Sequence, residues 1–78
     1  MEIPREPMVI KADNETYNVG CADESGVRTI IKEGGKSPFS DCKIKVLAKG
    51  EIMIFIHGGG RLQTTPRVDS ITIVPKYD

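Results

Sequence analysis

The sequence predicts an all-β fold, a small antiparallel barrel or sandwich of five to six short strands. The apolar runs are rich in Ile, Val and Thr, and none shows the i, i+3, i+4, i+7 spacing of an amphipathic helix. Prolines and glycines (Pro4, Pro7, Gly34-Gly35, Pro38, Gly58-Gly59-Gly60, Pro66, Pro75) cut the chain into pieces of strand length. With no Trp, two Tyr and two Phe, the core has to be assembled mainly from aliphatic side chains.

The 78 residues suffice for one domain, 1–78. Residues 1–7, with Pro4 and Pro7, read as a flexible N-terminal arm. Met8 to Val19 then reads as a hairpin. Val9-Ile10-Lys11-Ala12 and Glu15-Thr16-Tyr17-Asn18-Val19 flank Asp13-Asn14, two residues suited to a type I′ turn. A two-residue loop pairs Ile10 with Tyr17 and Met8 with Val19, gathering four apolar side chains on one face. Cys21 continues that parity and is expected to point inward.

Val27 to Lys32 is the third strand. The second hairpin runs from Cys42 to His57. A two-residue Lys49-Gly50 loop would set lysines among the isoleucines. A three-residue Ala48-Lys49-Gly50 loop, with Gly50 in a left-handed G1 bulge, pairs Val46 with Ile52, Ile44 with Ile54 and Cys42 with Ile56. The unbroken aliphatic face of the second register selects it. Lys43, Lys45, Leu47, Glu51, Met53, Phe55 and His57 then share the other face, which is unusually apolar for a solvated one. Leu47, Met53 and Phe55 are accordingly the candidate interface, and the small core available to a chain of this length also favours association. Ser70 to Val74 is the last strand. Arg61 to Asp69 is polar and turn-rich, and its path is not fixed by pattern.

Eleven basic and eleven acidic residues give zero net charge, which excludes a strongly basic nucleic-acid tail and an acidic mimic of nucleic acid. No apolar run reaches the roughly 18 residues of a membrane span, and MEIPREPM has no apolar signal core. A cytoplasmic protein with Cys21 and Cys42 reduced is the expectation.

His57-Gly58-Gly59-Gly60 resembles the oxyanion tetrad of one lipase and esterase group. The G-x-S-x-G nucleophile elbow that this chemistry needs is absent. Gly58, Gly59 and Gly60 followed by Arg61 instead suggest an anion cradle of backbone amides beside a guanidinium, with His57 and Lys45 as accessory contacts. No C-x-x-C pair is present, and strand parity separates His57 from the cysteines, so no metal site is expected. No cofactor is expected either. The functional expectation is a non-enzymatic domain that forms a homo-oligomer and binds an anionic ligand, a nucleotide or nucleic acid, at loop or interface surfaces. The alternative is a structural or protein-interaction module, such as a virion component or an inhibitor of another protein, with no small-molecule ligand.

Overall fold

Alternating apolar residues set most of the strands. The computed structural model describes residues 3–74, which form β1 (Met8–Ala12), β2 (Glu15–Val19), β3 (Arg28–Lys32), β4 (Phe39–Val46), β5 (Ile52–His57) and β6 (Arg61–Ile73). Each strand pairs antiparallel with the next, and β6 returns to β1, so the sheet closes into a six-stranded barrel. Closure requires the strands to bend, and bulges supply the bends. No helix long and apolar enough to cross a membrane occurs among the described residues.

The first hairpin has the expected register, Met8 opposite Val19 and Ile10 opposite Tyr17. Its turn differs from the expected type I′, since only Asp13 has positive φ (58°) and type I′ needs it at both central residues. Cys21 is exposed, not inward, because β2 ends at Val19 and the Gly20 amide bonds to Thr29 O at 2.8 Å as the chain leaves the strand.

The second hairpin departs from the expected register. Lys43 lies opposite Ile56, Ile44 opposite Phe55 and Val46 opposite Ile54, with a bulge between Ile44 and Val46. The bulge turns both Lys45 and Val46 outward and Leu47 inward. The turn is a tight bend over Ala48–Glu51, closed by Glu51 N–H to Ala48 O at 3.1 Å. Gly50 has the expected positive φ (89°), but within a longer connection than a three-residue G1 loop. Met53 and Phe55 therefore face the barrel interior, and all three candidate interface residues (Leu47, Met53, Phe55) are core. Cys42, Ile44, Met8, Ile10, Ile30 and Val68 surround them. The face judged uncovered in the sequence is the inside of the barrel.

The polar segment left unassigned in the sequence is the first half of the 13-residue β6. Its residues up to Arg67 pair with β5 and those from Val68 pair with β1, so one strand serves both halves of the barrel. Between Thr64 and Arg67 the register slips by one residue, and Pro66 sits in that bulge, where its missing N–H costs no ladder bond. The buried Thr65 hydroxyl accepts the Met53 N–H there at 3.1 Å. A second bulge at Asp69 turns its carboxylate onto the Asp13 N–H at 2.8 Å, tying β6 to the β1–β2 turn.

Of the expected N-terminal arm, residues 1 and 2 lie outside the described residues, and residues 3–7 run across the barrel as a strap held by main-chain bonds. Arg28, only 4% exposed, gives its guanidinium to Gly20 O (2.8 Å), Pro4 O (2.7 Å), Glu6 O (2.8 Å) and, longer, Arg5 O (3.4 Å). Ala22 N–H bonds to Arg5 O at 2.9 Å and Val74 N–H to Pro7 O at 2.8 Å. Ile3 packs on the core from this strap. Burial pushes the Arg28 pKa down from its ordinary value, yet its environment is a ring of carbonyl acceptors that only a donor can satisfy.

Candidate functional site

The β5–β6 turn is built from Gly58, Gly59 and Gly60, all at positive φ (55°, 86° and 119°). A Cβ there would touch nothing, so backbone conformation, not crowding, demands glycine. The Gly58 amide donates to Ser40 O at 3.1 Å and the Gly60 amide to His57 O at 3.2 Å. Two of the three amides of the expected anion cradle are thus already used. Among the described residues Gly59 N–H and the exposed Arg61 side chain have no hydrogen-bond partner.

Beside this turn the barrel rim carries rings. Phe39 meets His57 edge-on at 4.8 Å and 67°, and meets the buried Phe55 at 5.3 Å and 72°. Phe39 and His57 are both half-buried, so the stack runs from the core to the surface. The structure brings His57, Gly58, Gly59, Gly60 and Arg61 together on this rim. It does not bring Lys45, which lies at the β4 bulge toward the other end of β5, on a cleft of about 230 Å³ shared with Ile3, Leu47, Ala48 and Glu51.

The outer face of β4, β5 and β6 is the feature that pattern reading assigned to the wrong side. Val46 (37% exposed), Ile52 (42%) and Leu62 (66%) lie there with the half-buried Ile54 and Ile56. Cross-strand pairing makes them neighbours, with Val46 opposite Ile54, Lys43 opposite Ile56, Ile56 opposite Leu62, and Ile52 opposite Arg67. The exposed cations Lys43, Lys45 and Arg67 border the patch, and Glu51 is the acid at its turn end. Arg67 is steadied by donation to Gly50 O at 2.9 Å. Contiguous aliphatic residues on three adjacent strands form the kind of surface that soluble proteins use for contact.

Tyr17, Asp23 and Cys42 make contacts within the fold. Tyr17, buried with its hydroxyl donated to Glu15, has a pKa raised first by burial and then by that carboxylate. Glu15 in turn meets Lys32 at 3.5 Å. Asp23 accepts the Ser25 and Val27 amides at 2.8 and 2.9 Å, and the Val27 bond leads in holding its carboxyl below the ordinary range. Both thiols are free, and burial raises the pKa of Cys42, whose Sγ lies 3.2 Å from Phe39 O. That makes Cys42 a poor nucleophile. Among the described residues no group of three or more His, Cys, Asp and Glu is placed to hold a metal ion.

A second cleft, about 300 Å³, lies over the strap and is lined by Ile3, Arg5, Ala22, Glu24, Arg28 and Ile44. Its only buried cation is Arg28, whose bonds are already made to the main chain. Comparison of the chain with models of protein families, with curated proteins and with solved structures gives no significant match.

Proposed function

We propose that this chain is a non-enzymatic β-barrel module that works by association, using the outer face of β4, β5 and β6 to assemble with further copies. The observation that carries the reading is the continuous row of Val46, Ile52, Ile54, Ile56 and Leu62 beneath three cations. Covering on the order of 400 Å² of such surface at ~25 cal/mol per Å² supplies about 10 kcal/mol of gross driving force. Lost translational and rotational freedom offsets much of it. Leu62→Lys removes the most exposed member without touching the core. The wild type is expected to show a mass above one chain by light scattering and Leu62→Lys a monomer mass. A wild type that stays monomeric at high concentration refutes the reading.

A second reading concerns an anionic ligand, a nucleotide or nucleic acid, at the β5–β6 rim. It is favoured by one observation, the exposed Arg61 directly after the Gly58–Gly60 turn and opposite His57, whose half-buried ring packs on Phe39. Titration with nucleotides and short oligonucleotides tests it, with Arg61→Ala expected to weaken binding by roughly tenfold. Binding that survives Arg61→Ala unchanged sinks it.

A further inference from the structure

The strap lies in a seat whose bonds would be met equally by the strap of another copy. Ile3-Pro4-Arg5-Glu6-Pro7 offers main-chain carbonyls, and the barrel supplies the donors: the Arg28 guanidinium to Pro4 O and Glu6 O, and the Ala22 amide to Arg5 O. The Arg5 guanidinium in turn donates to Asp23 O. Ile3 anchors the strap on the core, but loosely. The clefts of about 300 and 230 Å³ both reach it, one against Ile44 and the other against Val46 and Leu47. Among the described residues β3 pairs with β4 no further than Arg28 opposite Cys42, and Ile3 sits over the gap that follows. The backbone of the strap is restricted before it docks. Pro4 and Pro7 fix their own φ, and the residues before them, Ile3 and Glu6, favour extended backbone. The chain nevertheless bends at Glu6. Opening that bend follows the preference of a residue before proline, and it swings residues 3–6 off the barrel while Pro7 O keeps the Val74 amide.

We infer that the strap is exchanged between copies, Ile3 to Glu6 of one chain seating on Arg28 and between the two clefts of a second, and the reverse. The inference rests on the association reading above and names what each copy gives the other. An exchanged strap makes the same bonds as a retained one, so the balance is set by the apolar area that the copies cover beside it. Four extended residues reach about 14 Å, so exchange requires the two barrels to meet on the side that carries the seat. Val46 lines the cleft beside Ile3 and belongs to the exposed aliphatic row. That meeting therefore brings the aliphatic rows of both copies toward each other. Each chain gives one strap and receives one, which closes a two-fold dimer with no seat left free.

An equal mixture of isotope-labelled and unlabelled wild-type chains, unfolded and refolded together, tests this by filtered NMR. Strap exchange predicts contacts between the Ile3 methyls of one chain and the Ile44 and Leu47 methyls of another, at concentrations where light scattering shows assembly. Contacts confined to single chains, in a protein that assembles, overturn the exchange and leave the association reading standing. A wild type that stays at the mass of one chain overturns both. Two variants give an independent answer. Arg28→Met has a damaged seat and an intact strap, and Ile3→Asp has the converse, with circular dichroism confirming each fold. Adding unlabelled Arg28→Met to labelled Ile3→Asp should slow hydrogen exchange at the Ala22 amide of the latter by on the order of tenfold, because the incoming strap supplies its acceptor. An Ala22 rate unchanged by that addition overturns the proposal.

Discussion

Replacing Arg28 by methionine keeps most of the buried stem and deletes the guanidinium. Three short hydrogen bonds disappear, to Pro4, Glu6 and Gly20, and a longer one to Arg5. Bonds from a charged donor contribute about 1.5–3 kcal/mol each, so the gross loss is roughly 5–9 kcal/mol. Against it stands the desolvation of a cation that makes no direct ion pair among the described residues, which the variant no longer suffers and which amounts to several kcal/mol. The carbonyls of Pro4 and Glu6 also recover water if the strap lifts. The difference is about 2–4 kcal/mol, or a fall in melting temperature of at least ~10 °C for a domain this small. Hydrogen exchange adds a local readout. The amides of Ala22 and Val74 bond to the strap carbonyls of Arg5 and Pro7 and should exchange faster in Arg28→Met by a larger factor than ladder amides such as Val19. Arg28→Lys should fall between, because an ammonium cannot reach three diverging carbonyls at once. An unchanged denaturation midpoint with unchanged Ala22 exchange would refute the strap argument.

The other expectations are simpler. Gly50→Val should cost about 1–3 kcal/mol in chemical denaturation, because a β-branched residue resists φ of 89° although nothing crowds the position; an unchanged midpoint contradicts that assignment. Under native conditions a thiol reagent should label Cys21 alone and reach Cys42 only on unfolding, so double labelling of the folded protein by mass spectrometry would count against the placement of Cys42. Because Asp23 is depressed in the fold, its stabilising effect is present above the unfolded pKa near ~3.9 and is lost as pH falls through the lower folded value. Asp23→Asn should flatten that acid limb of the stability curve, and an identical limb in both proteins would show that Asp23 does not contribute to it.

The parts of the fold that could be read in advance are those where one face of a strand is apolar and the other is not. Met8, Ile10, Tyr17 and Val19 alternate with Val9, Lys11, Thr16 and Asn18, and a slip of one residue would bury a lysine, so the first hairpin has a single solution. β5 has none of this information. Ile52-Met53-Ile54-Phe55-Ile56 is apolar at every position, and either parity buries a good core, so its register is decided by neighbours: the bulge after Ile44, the Thr65 hydroxyl waiting for the Met53 amide, and the ring of Phe39. Taking the aliphatic-only face as the core places Leu47, Met53 and Phe55 outside, whereas the structure buries all three. β6 was obscured because two bulges reset its alternation and Pro66 looks like a terminator when it sits in one of them. Of the candidate site, the Gly58–Gly60 turn beside Arg61 was legible from composition. That Ser40 and His57 already occupy two of its amides was not, because Ser40 comes from another strand.

The seam between β1 and β6 has a kinetic meaning. Every other pairing in the barrel joins consecutive strands, whereas this one brings Met8 to Ile73 across nearly the whole chain. Loop closure over that length costs more entropy than any hairpin, so β1 through β6 can zip as a meander before the ends meet. The seam is then expected to form last and open first, which slower hydrogen exchange at Met8 than at Val19 would contradict. Contacts that fasten it, the Asp69 carboxylate on the Asp13 amide and the Val74 amide on Pro7, act mainly on the rate of unfolding and little on the rate of folding. The lifetime of the closed barrel is thus expected to depend on a few bonds, one of them in the cleft that Asp13 and Asp69 share with Arg67 at the border of the aliphatic face.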